Sequence, residues 1–86
     1  MLFIVNSNPQ FSRPEEVASA KVEFRQWIDE LKSKKKVINS YHKIGKGSVV
    51  LFDVLSNDEL NDLMTKWLSI VPVPITYDII PLVTPV

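Results

Sequence analysis

Two serines, each followed three residues later by a glutamate, mark where helices begin and so constrain the fold of this chain. They are Ser12 before Glu15 and Ser56 before Glu59. In such a capping box the serine hydroxyl accepts a free amide of the first turn and the glutamate reaches back. Apolar residues then recur at intervals of three and four, the period of an amphipathic helix. The two stripes consist of Val17, Ala20, Phe24, Trp27, Ile28 and Leu31, and of Leu60, Leu63, Met64, Trp67 and Leu68. We therefore predict two helices, with both tryptophans in the core.

The segments around these helices have the character of strands. They are residues 2–5, 37–44, 49–54 and 75–80. A turn cluster at residues 6–9 ends the first, and Gly45-Lys46-Gly47 is a hairpin signal between the second and third. The order strand, helix, strand, strand, helix, strand predicts an α+β, ferredoxin-like βαββαβ fold. This is an antiparallel four-stranded sheet with two helices on one face, in which the first and third strands are central.

Both central strands are apolar at every position. A sheet that is covered on only one face needs apolar residues only at alternate positions. Residues 2–5 and 49–52 show no alternation, whereas a sheet with one solvated face alternates apolar and polar residues. Two helices cover one face, and monomers rarely expose a large apolar patch on the other. A chain of 86 residues has a small core, and without cysteine that core needs a supplement such as oligomerisation. We therefore predict that the chain pairs with itself, as a homodimer or higher oligomer.

The composition narrows the classes of partner. Ten basic and ten acidic residues cancel, which argues against nucleic acid, because phosphate binding needs a basic surplus on one face. No run approaches the roughly 18 apolar residues of a membrane span. Residues 1–6 lack the basic leader and small-residue cleavage site of a signal peptide. We expect a cytoplasmic protein with neither a nucleic-acid nor a membrane partner.

Four short stretches of the sequence match one known family. The chain opens Met-Leu-Phe, residues 14–17 read Pro-Glu-Glu-Val, residues 52–60 read Phe-Asp-Val-Leu-Ser-Asn-Asp-Glu-Leu, and residues 77–82 read Tyr-Asp-Ile-Ile-Pro-Leu. These stretches resemble the muconolactone isomerase family over nearly the whole chain. The resemblance implies a single domain over residues 1–86 with the dimeric α+β barrel fold. It also implies cofactor-free isomerisation of a small unsaturated lactone. Tyr41-His42 stands where the family has a Trp-Arg pair.

Such an isomerisation requires one group that moves a proton and others that hold negative charge. His42 is the side chain whose unperturbed pKa lies near neutrality, so it is the candidate catalytic residue, with a structural or surface role as the alternative. The candidate substrate-binding residues are Tyr41 and Lys43, on the opposite face of a regular strand, and Glu23 and Arg25, beside the first helical stripe. The alternatives are an interface role for Tyr41 and solvated positions for Glu23 and Arg25. No cofactor or metal is expected, because phosphate-loop, dinucleotide and metal-ligand motifs are absent from the sequence.

Three functions stay open at the level of sequence. The first is a cofactor-free isomerase acting on a small unsaturated lactone or organic acid. The second is a module that binds a small molecule without turnover, and the third is an assembly protein. A polar pocket that holds His42 beside a cation would favour the isomerase. A dry apolar cavity would favour the binding module, and the absence of a cavity would favour the assembly protein.

Overall fold

Six elements follow one another in the predicted order. The computed structural model of the chain describes residues 1–10 and 14–83. The elements are β1 (Leu2–Pro9), α1 (Pro14–Ser33), β2 (Val37–His42), β3 (Ser48–Asp53), α2 (Asn57–Ile70) and β4 (Ile75–Leu82). The sheet order is β2-β3-β1-β4, and every neighbouring pair is antiparallel. The α+β, ferredoxin-like fold is therefore confirmed, with β1 and β3 in the centre. Within the described ranges, neither helix has the length and apolar content of a membrane span.

The core lies between the two helices and one face of the sheet. The central strands bury alternate residues there, among them Val5 of β1 and Val50 and Phe52 of β3. The helices contribute the buried side chains Trp27, Ile28, Leu31, Leu60, Met64 and Trp67. Both tryptophans are thus in the core, as predicted. Leu68 is instead half-exposed, because it follows Trp67 and lies outside the buried stripe of α2.

The first strand is longer than its apolar run. The sequence predicts a turn at residues 6–9, yet β1 continues to Pro9 because these residues pair with β4, from Asn6 opposite Asp78 to Pro9 opposite Ile75. Proline is tolerated at a strand end, where its missing N–H is not needed by the ladder. The pairing that extends β1 comes from a segment nearly 70 residues away and is not visible locally.

The second strand contains an irregularity that decides which residues share a face. Val37 pairs with Phe52 and His42 pairs with Ser48, so β2 holds one more residue over this stretch than β3 does. Such a bulge shifts the alternation by one position. Val37 and His42 therefore lie on the same, helix-facing side although an odd number of steps separates them. Ile38, next to the register shift, is half-exposed.

The second helix begins at its predicted cap. The hydroxyl of Ser56 accepts a hydrogen bond from the backbone N–H of Glu59 at 3.1 Å. The Glu59 carboxylate pairs with the Lys36 ammonium at 2.8 Å, so the reciprocal half of the predicted capping box is replaced by a contact with the turn between α1 and β2. The other predicted cap, Ser12, lies outside the described residues.

The sheet face opposite the helices, called here the open face, is apolar in its middle. Its side chains alternate with the buried residues of β1 and β3 and continue onto β4. The apolar members are Leu2, Ile4, Val49, Leu51, Ile80 and Leu82. The apolar character predicted for both faces of the sheet centre is therefore observed.

Candidate ligand-binding cleft

A cleft of about 1150 Å³ separates α1 from the hairpin of β2 and β3. One wall is α1 from Ala20 to Lys32, and the opposite wall is the hairpin from Ser40 to Ser48. The end of β1 and the segment between α2 and β4 complete the lining. The cleft therefore lies on the helix-facing side of the sheet, away from the open face.

One part of the lining, called here the floor, is apolar and aromatic. Phe24, Ile28 and Trp67 line it, and the rings of Phe24 and Trp67 lie 4.9 Å apart between centroids. Ile28 and Trp67 also belong to the buried core, so this floor is fixed by packing. A flat, unsaturated molecule can rest on such a floor through ring contacts.

A pair of serines forms the polar part of the lining next to this floor. The Ser7 hydroxyl donates to the backbone carbonyl of Ser48 at 3.0 Å and accepts from the backbone N–H of Ser48 at 2.8 Å. Both serines are buried. The hydroxyl thus continues the ladder between β1 and β3 where their backbones separate, and its hydrogen bonds are structural.

The charged lining of the cleft is strongly biased towards cations. Five of the ten cationic side chains of the chain line it, whereas Asp29 is the only one of the ten carboxylates to do so within the described residues. The cations are Lys21, Arg25, Lys32, Lys43 and Lys46. A cleft lined by one sign of charge concentrates ligands of the opposite sign. The cleft of this electrically neutral chain therefore favours anions.

Lys43 is held by Asn8 and by the hairpin turn, with its ammonium on the open-face side of β1. Its ammonium donates to the side-chain oxygen of Asn8 at 2.8 Å, and its backbone N–H donates to the carbonyl of Gly47 at 3.0 Å. Gly47 has a φ of 93°, and a Cβ there would meet the Ser7 carbonyl and lie 2.9 Å from Cε of Lys43. The positive φ and the close approach of the Ser7 backbone carbonyl therefore require glycine at this position.

Three of the five predicted site residues are among the lining residues of the cleft. His42, exposed at the end of β2, lines it with Lys43 and with Arg25 of α1. Lys43 follows the end of β2, and its ammonium contacts Asn8 on the face opposite His42, as the alternation of a regular strand predicts. Tyr41 and Glu23 are not among the lining residues. Tyr41 is 60% exposed, and its hydroxyl accepts a hydrogen bond from the amide of Asn39 at 2.9 Å.

Sequence reasoning missed several lining residues, and only some of them carried a signal. Lys21 precedes Arg25 by four residues and Lys32 follows it by seven, so helical periodicity alone places all three on one side of α1. The contact between Asn8 and Lys43 had no such signal, because it depends on how β1 and the hairpin meet. The described residues contain no group of three or more histidine, aspartate or glutamate side chains that could hold a metal ion.

The chain matches no protein-family model and, in sequence, no curated protein. Its structure is similar to that of 5-chloro-2-hydroxyhydroquinone dehydrochlorinase (TftG) from Burkholderia phenoliruptrix AC1100, solved in complex with 2,5-dihydroxybenzoquinone. The TM-score is 0.72 at 14% sequence identity, over 95% of this chain and 93% of that one. At this identity the likeness shows the fold alone, which in that enzyme is the dimeric α+β barrel. This chain shares the βαββαβ topology, with four antiparallel strands and two helices.

Proposed function

We propose that the protein is a muconolactone isomerase-like enzyme that moves a proton, and with it a C=C bond, in a small unsaturated lactone or organic acid. The observation that carries the proposal is that His42 and Arg25 line one cleft with Phe24 and Trp67, among further cations. This is the combination of a proton-transfer group, cations and a polar-rimmed pocket that such a reaction requires. The reaction needs no cofactor, because a proton leaves one carbon and another returns elsewhere on the same molecule.

Each part of the cleft has a role in this scheme. The substrate ring lies on the floor of Phe24 and Trp67, and its carboxylate pairs with a cation on the wall. His42 takes the proton from a carbon that a neighbouring carbonyl has made acidic. The electron pair moves into an enolate, whose charge the cations stabilise. The protonated imidazole then returns a proton at the far end of the conjugated system.

The structural neighbour supports small-molecule chemistry in this fold. TftG is named for the dehydrochlorination of a hydroxylated, chlorinated ring and was solved with a quinone bound. A ring compound of that size is comparable to an unsaturated lactone and much smaller than a peptide or nucleic acid. The likeness supports a ligand of this size. The proposal that the reaction is an isomerisation rests on the residues of the cleft.

Binding without turnover is a second candidate function, and the exposure of His42 favours it. A general base works best where the closed site excludes water, whereas the His42 side chain is exposed in the single chain.

We also propose that a second copy of the chain packs against the open face. It would cover apolar sheet surface and give the dimer that the fold is named for.

Proton exchange tests the enzymatic proposal across a panel of candidate substrates. Butenolides and unsaturated γ-lactones bearing a carboxymethyl group are incubated with the protein in heavy water, and NMR detects deuterium next to the carbonyl. We expect exchange with the wild type and a loss of roughly 100-fold or more in His42→Ala, the usual contribution of a general base.

The control variant is Tyr41→Phe, because Tyr41 neighbours His42 in sequence but does not line the cleft. It should exchange deuterium at the wild-type rate. Binding of a lactone without exchange by the wild type would assign the second function. Equal exchange by wild type and His42→Ala would contradict the role of His42.

A further inference from the structure

His42 and Ser48 lie directly opposite each other on adjacent strands. They are a register pair of β2 and β3. Next to them, the backbone N–H of Lys43 donates to the carbonyl of Gly47 at 3.0 Å. This hydrogen bond joins the residue after His42 to the residue before Ser48, which makes the two a non-hydrogen-bonded pair. In such a pair the Cα atoms are about 4.5 Å apart and the side chains are close neighbours. Both residues line the cleft.

The Ser48 hydroxyl has no hydrogen-bond partner within the described residues. The hydrogen bonds between Ser48 and Ser7 use only the backbone N–H and C=O of Ser48. Ser48 is 9% exposed, yet its hydroxyl is not one of the fully enclosed polar atoms that lack a partner. The oxygen is therefore accessible to solvent, and the cavity that Ser48 lines is the cleft. A polar group in this position is available to a ligand.

Ser7 fixes the position of Ser48. Its hydroxyl donates to the Ser48 carbonyl at 3.0 Å and accepts from the Ser48 N–H at 2.8 Å. Ser7 itself is 2% exposed. Because both backbone groups of Ser48 are held, the direction of its side chain from the strand is set before a ligand arrives. A donor that is positioned in advance can stabilise charge that develops during a reaction without a cost of reorganisation.

We propose that the Ser48 hydroxyl donates a hydrogen bond to the enolate oxygen that forms when His42 removes the neighbouring proton. This rests on the proposed function and adds a catalytic residue to it. The carbonyl oxygen and the carbon that loses its proton are two bonds apart, so the two side chains of one cross-strand pair can contact both atoms. The proton goes to the imidazole, the electron pair of the C–H bond moves to the oxygen, and the serine keeps its own proton.

Two ligands test the proposal by isothermal titration calorimetry without any turnover. In para-nitrophenolate a negatively charged oxygen is conjugated to a flat ring, as in an enolate. In para-nitroanisole the same oxygen carries a methyl group and no charge. We expect Ser48→Ala to weaken binding of the phenolate about tenfold, the effect of one charge-assisted hydrogen bond. Binding of the anisole should not change, because its oxygen carries no charge for the hydroxyl to stabilise.

A control variant and a kinetic measurement complete the test. Ser69→Ala removes a hydroxyl from α2 outside the cleft and should bind both ligands as the wild type does. In the deuterium-exchange experiment, Ser48→Ala should lower kcat about 100-fold with little change in KM, because the hydrogen bond strengthens as the negative charge develops.

Equal phenolate affinities of the wild type and Ser48→Ala would overturn the proposal. A loss of the same size for the anisole would overturn it too, because the serine would then act only through packing, and so would the absence of phenolate binding at millimolar concentration. The outcome is separable from that of the proposed function. Selective loss of phenolate binding in Ser48→Ala, with no exchange on any lactone, would remove the isomerase and retain Ser48 as an oxyanion donor. Exchange that Ser48→Ala does not slow would retain the isomerase and remove this role of Ser48.

Discussion

Tyr77 contains a polar atom whose environment is unusual for this small core. The Tyr77 ring lies on β4 and packs edge-on against Trp67, with 5.1 Å between centroids. Its hydroxyl is buried and finds no hydrogen-bond partner among the described residues. Burial disfavours the charged phenolate and raises the pKa of Tyr77 to about 12 from its ordinary value of 10.0.

The raised pKa makes the stability of the fold depend on pH in the alkaline range. Between about pH 10 and about pH 12 the unfolded chain loses the Tyr77 proton while the folded chain keeps it, so the free energy of unfolding falls as pH rises. Tyr77→Phe should lack this component. At neutral pH it should be as stable as the wild type or up to about 1 kcal/mol more stable, because a buried hydroxyl without a partner is removed.

Urea unfolding below pH 10 and near pH 12 measures both effects. The matched control is Tyr41→Phe, which removes the same atom from a side chain that is 60% exposed and should retain the wild-type pH dependence. If Tyr77→Phe lost stability at neutral pH by more than about 1 kcal/mol, the hydroxyl would have a partner that this packing does not provide.

At the scale of single residues, residue type and spacing selected His42, Arg25 and Lys43 as site candidates. All three are among the lining residues of the cleft, and their roles stay predictions. The partner of the Lys43 ammonium was not predictable, because that partner is Asn8 of β1. Those two residues meet only after β1 has paired with strands from distant parts of the chain.

At the scale of elements, the turn that follows α1 contains a residue in an unfavourable backbone conformation. Lys35 has a φ of 62°, the left-handed region that glycine adopts without cost. The Lys35 N–H donates to the Lys32 carbonyl at 3.0 Å, and the Lys36 N–H to the Leu31 carbonyl at 2.9 Å. This is the pattern of a Schellman helix end, in which that position is usually glycine.

Replacing this lysine should therefore stabilise the protein. We expect Lys35→Gly to raise the free energy of unfolding by about 0.5–1 kcal/mol, after allowing for the greater freedom of glycine in the unfolded chain. The control is Lys66→Gly in the interior of α2, which should cost about 1 kcal/mol. Denaturant unfolding measures both. A loss of stability in Lys35→Gly would mean that the lysine side chain contributes more than the backbone conformation costs.

The same scale shows why the helices were easier to predict than the strand details. Helix period and capping are local properties, and Ser56 caps α2 where the sequence predicts. The extension of β1 and the bulge in β2 are decided by partners distant in sequence, β4 and β3. The bulge places His42 on the helix-facing side together with Val37. Regular alternation would have separated them.

At the scale of the whole molecule, the open face is an apolar surface that neither helix covers. The sequence predicted it from uninterrupted apolar runs, and the registers place Ile4, Leu51 and Ile80 next to one another on it. Ile80 remains 50% exposed in the single chain. A polar cluster lies at one end of this face, where the amides of Asn6 and Asn8 are directed at Asp78 at 3.5 and 3.4 Å. An interface between the open faces of two copies would therefore have an apolar centre and a polar margin.

This arrangement predicts that the protein is a dimer or larger at micromolar concentration and that one charge on the open face dissociates it. Leu51→Lys places an ammonium in the centre of the open face. A twofold axis through this face would bring it close to the equivalent ammonium of the second protomer. The variant should sediment as a single chain. Leu68→Lys makes the same change at a half-exposed leucine of α2, remote from the open face, and should keep the wild-type mass. Analytical ultracentrifugation with light scattering measures the masses. A single-chain mass for the wild type at high concentration would contradict the pairing and leave the apolar runs of β1 and β3 without an explanation.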